Sequence, residues 1–297
     1  MSLIFVFLDG VGLAPASPSN PLATAMTPAF HALLGGPLTS EQSQQSDNLL
    51  LKPIDATLGV PGLPQSGTGH VALLTGVNAP LLIGRHQPNY PPVALRGILA
   101  EQSIFRQAQH RGLEVVFANV FTPGYWQALA ARRLRRSASL IAAEGASLRL
   151  RDLDDLRAGQ ALMWDITGDA LQVRDEGLAV PPVTPKQAGA HLAALSQSCH
   201  LVFFESFLPD LAGHGRLPLS DEAALERIDG FLAGLLDALL PGDTLLITSD
   251  HGNIEDRRTP VHTRNPAPLL VVGAGVDAFA RAETIADIAA VVMNVLA

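Results

Sequence analysis

The chain has very little cysteine or lysine, and it contains no apolar run long enough to span a bilayer. Its 297 residues include one cysteine, Cys199, which excludes an intrachain disulfide. Only two of the 20 basic residues are lysines, a bias from which we infer no function. The opening segment MSLIFVFLDG lacks a basic region and its apolar run is short, so we expect a strand there rather than a signal peptide. We therefore expect a cytoplasmic protein without membrane contact.

The chain carries a surplus of acidic residues, with a formal net charge of -8, which argues against a nucleic-acid scaffold. An acidic protein can still bind a phosphate group when a metal ion supplies the positive charge locally. Apolar residues make up 47% of the chain, enough to bury a sizeable core. The length suits one large α/β domain with an insertion, or two modest domains.

Short, nearly continuous apolar runs are typical of strands that are buried on both faces. These runs are Leu3–Leu8, Leu113–Val120, Leu201–Phe204, Thr244–Thr248 and Leu269–Val272. Helical patterns lie between them, which predicts an α/β fold with a doubly wound, mainly parallel sheet flanked by helices. Residues 121–186 are richer in arginine, aspartate and turn residues, and there we predict a small inserted lid. Residues 1–120 and 187–297 would then form the core domain.

Residue types that bind divalent metals lie next to several of the predicted strands. They are Asp9, Asp210, His214, Asp250, His251 and His262. Ligands in open parallel sheets gather at the carboxyl ends of the strands, so these side chains are expected at one edge. An aspartate after a strand is usually a turn former or helix cap, and only the convergence of several such groups favours a metal site. Mixed carboxylate and imidazole ligands suit zinc, manganese or iron better than calcium.

A candidate nucleophile lies in the segment GLPQSGTGHVALLTG. Ser66 sits in a glycine-flanked turn, and if the following segment opens a helix, its free backbone N–H groups form an anion site beside the hydroxyl. Coordination to a divalent metal would activate such a hydroxyl. Thr68, two residues later in the same turn, is a competing nucleophile. The segment is neither a P-loop nor a GxSxG elbow.

Four motifs together resemble the alkaline phosphatase superfamily, most closely cofactor-independent phosphoglycerate mutase and phosphopentomutase. SDHGN followed by HTRNPAPLLVVG resembles their C-terminal signature, and PDLAGH resembles their DMVGH-type segment. SGTGH resembles their nucleophile motif, SEVGH in the first enzyme, and LDGVG resembles their N-terminal metal-binding segment. The motifs occur in the order found in the family, and the resemblance covers about residues 1–120 and 200–297.

The resemblance implies two divalent ions, manganese or zinc, and a phosphoserine intermediate. One ion would be bound by Asp210, His214 and His262. The other ion would be bound by Asp9, Ser66, Asp250 and His251. The match favours Ser66 over Thr68, because the serine stands four residues before the histidine of SGTGH, as in SEVGH. The insertion is much shorter than in the phosphoglycerate mutases, so mutase activity follows less directly than the metal chemistry.

The function expected from these residues is hydrolysis of a small phosphoester. The alternatives are a phosphomutase, a sulfate-ester or phosphodiester hydrolase, and a non-catalytic metal-binding protein. The absence of the sulfatase motif CxPxR lowers the sulfatase option. Candidate substrate contacts are Thr68, His70, His86, Asn119 and Arg264. The arginine run 132–136 is expected on an exposed helix face, and Trp126 and Trp164 of the predicted lid are candidates to pack over a substrate.

Overall fold

The computed structural model describes residues 1–169, 180 and 182–297. Its strands form one seven-stranded sheet. They are β1 (Leu3–Leu8), β2 (Gln44–Ser46), β3 (Leu49–Ile54), β4 (Val115–Phe117), β5 (Leu201–Ser206), β6 (Thr244–Thr248) and β7 (Ala267–Gly273). The strand order across the sheet is β2-β3-β7-β6-β1-β5-β4. Strands β6, β1, β5 and β4 are mutually parallel, whereas β7 is antiparallel to both of its neighbours.

Helices connect these strands and cover the sheet. The α-helices of the described residues are Pro21–Thr24, Pro28–Leu34, Ser66–Thr75, Ala79–Ile83, Val93–Gln102, Ile104–His110, Pro123–Ala130, Ala138–Gly145, Leu153–Arg157, Pro185–Leu195, Leu208–Gly213, Asp221–Ala238, Val276–Phe279 and Asp287–Val295. Two short 3₁₀ helices span Ser40–Gln42 and Ser196–Ser198. Within the described ranges, every helix is too short or too polar to cross a bilayer.

The central strands are buried along their whole length, because helices pack on both faces of the sheet. In β1, Leu3, Phe5 and Phe7 belong to one apolar core cluster. The alternate residues Ile4 and Val6 belong to the cluster on the opposite face. This two-residue period follows from the pleat of the strand. The predicted mainly parallel, helix-flanked sheet is confirmed.

Two edges of the sheet differ from the prediction. Strand β4 is shorter than the predicted Leu113–Val120, because the Leu113 N–H donates to the Ala108 carbonyl at a helix end. Strand β3 was not predicted, and it pairs antiparallel with β7. Its second half, Lys52 and Pro53, breaks the apolar run that marks the other strands.

The region predicted as a lid has two different environments. Helix Ala138–Gly145 packs into the main core, with Leu140 and Ala142 fully buried. Residues 153–163 instead form a small separate apolar cluster, against which Trp164 packs. Residues 170–179 and residue 181 of the predicted lid lie outside the described residues. The division into core and lid stays a prediction, and helix Ala138–Gly145 packs with the core.

Candidate metal centre

The candidate ligands lie at one end of three neighbouring parallel strands. Asp9 directly follows β1, Asp250 lies two residues after β6, and Asp210 lies in the helix that follows β5. Two glycines permit the close approach of these segments. A Cβ atom on Gly10, whose φ is +78°, would lie 2.8 Å from the Asp210 Cα atom. A Cβ atom on Gly69 would lie 2.9 Å from the Asp250 side chain, so the helix that begins at residue 66 can approach the centre only with glycine there.

The first group of ligand atoms comes from Asp210, His214 and His262. The two histidine Nε2 atoms are 3.2 Å apart, and they lie 3.3 and 3.5 Å from Asp210 Oδ1. The His262 Nδ1 atom is 2.8 Å from the Pro64 carbonyl oxygen, and the His214 Nδ1 atom is 3.1 Å from that of Pro260. Donation from Nδ1–H leaves Nε2 unprotonated, which is the state that binds a metal. Helical spacing brings Asp210 and His214 together, as expected for positions i and i+4.

The second group comes from Asp9, Asp250, His251 and Ser66, joined by His70. The His251 Nε2 atom lies 2.9 Å from Ser66 Oγ, 3.1 Å from Asp9 Oδ1 and 3.5 Å from Asp250 Oδ2. The His70 Nε2 atom lies 3.4 Å from a carboxylate oxygen of both Asp9 and Asp250. The two groups adjoin, because the rings of His251 and His262 are stacked with centroids 3.7 Å apart. The structure thus brings together all seven side chains that the sequence predicted as ligands.

Several of these buried polar atoms have no hydrogen-bond partner among the described residues. They are Asp9 Oδ1, both carboxylate oxygens of Asp250, His70 Nε2 and His251 Nδ1. Burying an unpaired polar atom destabilises a fold, and an unpaired carboxylate does so strongly. Two groups of three residues have ligand atoms within 4.8 Å of one another inside each group. They are Asp210, His251 and His262, and Asp9, His70 and Asp250. Divalent ions with nitrogen and oxygen ligands fit this donor set.

Burial and mutual charge control protonation in this cluster. Burial opposes charge on His70 and His251, but the charges of Asp250 and Asp9 outweigh it. They raise the pKa of His70 to about 9 and that of His251 to about 10. Burial raises the pKa of Asp250 to about 7, whereas the two histidines hold the pKa of Asp9 below its usual value despite its burial. Burial and the nearby charge of His251 lower the pKa of His262 to about 4. Metal binding would therefore compete with protons mainly at His70 and His251.

Glu255 ties together three loops that carry ligands. Its buried carboxylate accepts hydrogen bonds from the Gly12 N–H at 2.9 Å and from the Asn253 N–H at 2.7 Å. It also accepts a short hydrogen bond from the Thr263 hydroxyl and one of 2.9 Å from the Asn265 amide. These contacts join the segments after β1 and β6 to the segment that bears His262. Glu255 was not among the predicted site residues, and no motif spacing points to it.

Glu205, at the end of β5, is a further buried carboxyl group beside the cluster. Its backbone is held by Asn119, whose side chain makes hydrogen bonds of 2.7 and 2.9 Å to the Glu205 carbonyl and N–H. The Ser139 hydroxyl donates a short hydrogen bond to the Glu205 carboxylate. Burial raises the pKa of Glu205 to about 7, although the charge of His70 opposes that shift.

A cavity of about 400 Å³ adjoins the metal-ligand cluster. Its lining residues come from the ligand cluster, from the region 119–164 and from the segment after β5. They are Asp9, Ser66, His70, Asn89, Tyr90, Asn119, Val120, Phe121, Tyr125, Leu134, Arg135, Ser137, Ala138, Trp164, Glu205, Phe207, Asp210, Leu211 and Arg216. The nucleophile candidate Ser66 therefore faces an open space large enough for a small ligand.

The predicted substrate contacts fall into two sets. His70 and Asn119 line the cavity. Thr68, His86 and Arg264 are not among its described lining residues. The Thr68 hydroxyl donates to the backbone carbonyl three residues earlier, and His86 Nε2 is 3.2 Å from a backbone carbonyl oxygen. Arg264 is exposed.

Other lining residues were not predicted or were placed differently. The arginine run 132–136 lies in a turn after helix Pro123–Ala130, not on a helix face, and Arg135 from it lines the cavity. The sequence could not place the run, because the preceding helix ends at Ala130, only two residues before the run begins. Trp164 lines the cavity, whereas Trp126 is not among its described lining residues. Arg216 also lines it, and no sequence motif marks that residue.

Comparisons with known proteins find similar sequences over part of the chain. Residues 183–297 match the family model described as Metalloenzyme superfamily. A phosphopentomutase from Methylobacterium radiotolerans is 44% identical over 82 residues, which cover 27% of this chain and 20% of that protein. A 2,3-bisphosphoglycerate-independent phosphoglycerate mutase from Acetivibrio thermocellus is 38% identical over 96 residues, covering 30% and 19%. The chain thus matches about a fifth of the length of each of these curated relatives.

Similarity of fold extends over almost the whole chain. An alkaline phosphatase from the Antarctic bacterium TAB5 superposes with a TM-score of 0.51 at 15% sequence identity, covering 99% of this chain and 98% of that one. At this identity the likeness concerns the fold alone. Together, the family match, the relatives and the fold confirm the resemblance to the alkaline phosphatase superfamily.

Proposed function

We propose that this relative of the alkaline phosphatase-like metalloenzymes is a two-metal phosphoryl-transfer enzyme that acts on a small phosphorylated substrate. Ser66 is its nucleophile, and the ions are manganese or zinc. The observation that carries the proposal is the meeting of carboxylate, imidazole and serine side chains at one buried site. There the Ser66 Oγ atom lies 2.9 Å from His251 Nε2.

In this proposal the two ions, when bound, lower the pKa of the Ser66 hydroxyl and neutralise charge on the phosphoryl oxygens. Asp210, His214 and His262 hold one ion; Asp9, Asp250 and His251 hold the other. Ser66 Oγ loses its proton to solvent and forms a bond to phosphorus while the bond to the ester oxygen breaks. The leaving oxygen takes a proton from water, and the alcohol leaves on the side opposite Ser66. A phosphoserine results, and it is consumed when an oxygen nucleophile attacks the same phosphorus atom. Positioning and charge neutralisation by the buried residues supply most of the acceleration.

Hydrolysis and phosphate migration differ only in what attacks the phosphoserine. Hydrolysis is favoured by the open side of the cavity, where the lining residues Arg135 and Arg216 are exposed and water has access. Phosphate migration is favoured by the relatives, which are named phosphopentomutase and phosphoglycerate mutase. Product analysis separates the two: hydrolysis releases inorganic phosphate, whereas a mutase converts one phosphate ester into an isomer of equal mass.

The nucleophile is tested by trapping the intermediate. The protein is loaded with manganese or zinc, mixed with a phosphoester panel and quenched in acid, and intact-mass spectrometry then detects one added phosphoryl group. Peptide mapping is expected to place that group on Ser66. Ser66→Ala should abolish both the adduct and turnover.

Thr68→Ala is the matched control, because Thr68 lies in the same turn and its hydroxyl donates to a backbone carbonyl. This variant should still form the adduct on Ser66. An adduct on Thr68, or full turnover by Ser66→Ala on every ester cleaved, would contradict the proposed nucleophile.

A further inference from the structure

We propose that the substrate's leaving alcohol carries an aromatic ring, which the cavity beside the metal centre binds among its aromatic side chains. This inference rests on the proposed phosphoryl-transfer function and names its substrate class. It follows from three features of the cavity: its aromatic wall, the presence of Ser66 in the same lining, and its small number of permanently cationic side chains.

The aromatic wall begins at the metal centre and runs outward. The ring of Phe207 is nearly parallel to that of His70, with centroids 6.4 Å apart and an interplanar angle of 16°. Phe207 also contacts Trp164, with ring centroids 6.5 Å apart and an interplanar angle of 48°. Phe121 and Tyr125 form an edge-to-face pair with centroids 5.2 Å apart. All five rings line the same cavity, and those of Phe121, Tyr125, Trp164 and Phe207 offer apolar surface to whatever occupies it.

The wall shares its cavity with the nucleophile candidate. Ser66 and Asp9 line the same cavity as Tyr125, Leu134 and Trp164. In an in-line displacement the leaving oxygen is opposite the attacking Ser66 oxygen, so the alcohol extends away from Ser66 into the cavity. Leu134 and Trp164 are partly exposed there, and a bound ring would remove their apolar surface from water.

The charges of the wall also favour an aromatic alcohol over a small polyanion. Among the described lining residues the permanent cations are Arg135 and Arg216, and both are exposed to solvent. A substrate whose second part is also anionic would place that charge against Phe121, Tyr125, Trp164 and the carboxyl group of Glu205. Removing such a charge from water without a buried partner is unfavourable. A neutral ring meets no such penalty.

The test compares two esters whose leaving alcohols have similar intrinsic reactivity, 2-phenylethyl phosphate and ethyl phosphate. Release of each alcohol by the metal-loaded full chain gives kcat/KM. We expect a preference of about 10- to 100-fold for the phenylethyl ester, the range that corresponds to burial of one aromatic side chain. Binding of 2-phenylethylphosphonate and ethylphosphonate, measured by calorimetry, should show the same preference without turnover.

Trp164→Ala should reduce the phenylethyl-to-ethyl ratio of kcat/KM towards one, whatever its effect on the absolute rates. Leu240→Ala is the control, because Leu240 is an exposed apolar side chain and is not among the described lining residues. That control should keep the ratio. Melting temperatures of both variants verify that each remains folded.

Three results would overturn the inference. Equal kcat/KM values for the two esters would contradict the aromatic site and leave the phosphoryl-transfer proposal intact. Equal affinity for the two phosphonates would do the same. If neither ester formed the Ser66 adduct, nor did any other ester of the panel, the proposed function would fail and this inference with it.

Discussion

The metal-ligand cluster and the aromatic wall of the cavity are built in opposite ways. Most of the candidate ligands follow buried strands, and Asp250 and His251 are wholly inaccessible to solvent. Three rings of the wall, Tyr125, Trp164 and Phe207, are instead partly exposed. A buried ligand is held by many neighbours and cannot shift without disturbing the sheet, whereas an exposed wall residue can change without such disturbance. On the proposed function, the core would set the chemistry and the wall would select the substrate.

The largest expected effect comes from removing a ligand in the core. Asp250→Asn should lower metal affinity and phosphoryl-transfer activity by more than about 100-fold, since outer-shell partners alone are worth 10–100-fold. Loss of one carboxylate charge should also lower the pKa values of the nearby His70 and His251, and it weakens the attraction of the site for a cation. Metal content by mass spectrometry and turnover on the same samples check this expectation.

Asp229→Asn is the matched control for Asp250→Asn. Asp229 is equally buried, but its carboxylate accepts hydrogen bonds from the N–H groups of Ala29 and Phe30 at the start of a helix. Its loss should reduce thermal stability and leave the metal content unchanged. Equal metal loss in both variants would show that replacing any buried aspartate lowers the metal content. The metal-binding role assigned to Asp250 would then be wrong.

Glu255→Gln tests whether the loops that carry the ligands need their common anchor. Each carboxylate oxygen of Glu255 accepts two hydrogen bonds. Glutamine replaces one of these oxygens by an NH₂ group, which cannot accept, so at least one of the four hydrogen bonds is lost. We expect metal affinity to fall by about 10–100-fold, as for other outer-shell partners. Competition with a chelating dye measures the affinity. Glu283→Gln, at an exposed glutamate, should leave it unchanged.

Much of the core was predictable because its signals are local in sequence. Strand β1 has the bounds that its apolar run predicts, and the i, i+4 spacing of Asp210 and His214 predicts their contact. Glu255 and Glu205 were not predictable, because most of their partners lie 8 to 243 residues away and no spacing rule links them. Only the fold brings these partners together.

The wall was less predictable than the core for a physical reason. The turn after helix Pro123–Ala130 and the segment around Trp164 have no repeating pattern that fixes the direction of their side chains. Arg135 therefore resembled its exposed neighbours in the sequence, although it lines the cavity. His70 was predicted only as a substrate contact. It lies between Asp9 and Asp250 because its helix packs against the ends of β1 and β6, a contact between segments that are distant in the sequence.

Glu205→Gln should change how stability depends on pH. The folded-state pKa of Glu205, about 7, is above the ordinary value of 4.5, so the folded protein binds a proton more tightly than the unfolded chain. That contribution is complete below pH 4.5 and is lost as the pH rises through 7, lowering the free energy of unfolding by about 3 kcal/mol. The difference between wild type and variant, measured by denaturant unfolding with a chelator present, should show this step. A difference that does not vary between pH 4.5 and 8 would contradict it.

The smallest expected effect is at the exposed rim of the wall. Arg135→Ala should raise KM for a phosphoester about 2- to 5-fold and leave kcat unchanged, because exposed charge pairs contribute little. The effect should shrink at high ionic strength. Arg133→Ala, in the same turn but not among the described lining residues, should have no effect. An equal change in both variants would mean that the charge of the turn matters and not the position of Arg135.

The most direct test of the account is to locate the ions. Crystals grown with manganese or zinc should show two anomalous scattering peaks per chain, about 3.5–4 Å apart. One peak should lie among Asp210, His214 and His262, and the other beside Asp9, Ser66, Asp250 and His251. Peaks confined to the protein surface, or none at this site with saturating metal, would contradict a two-metal centre.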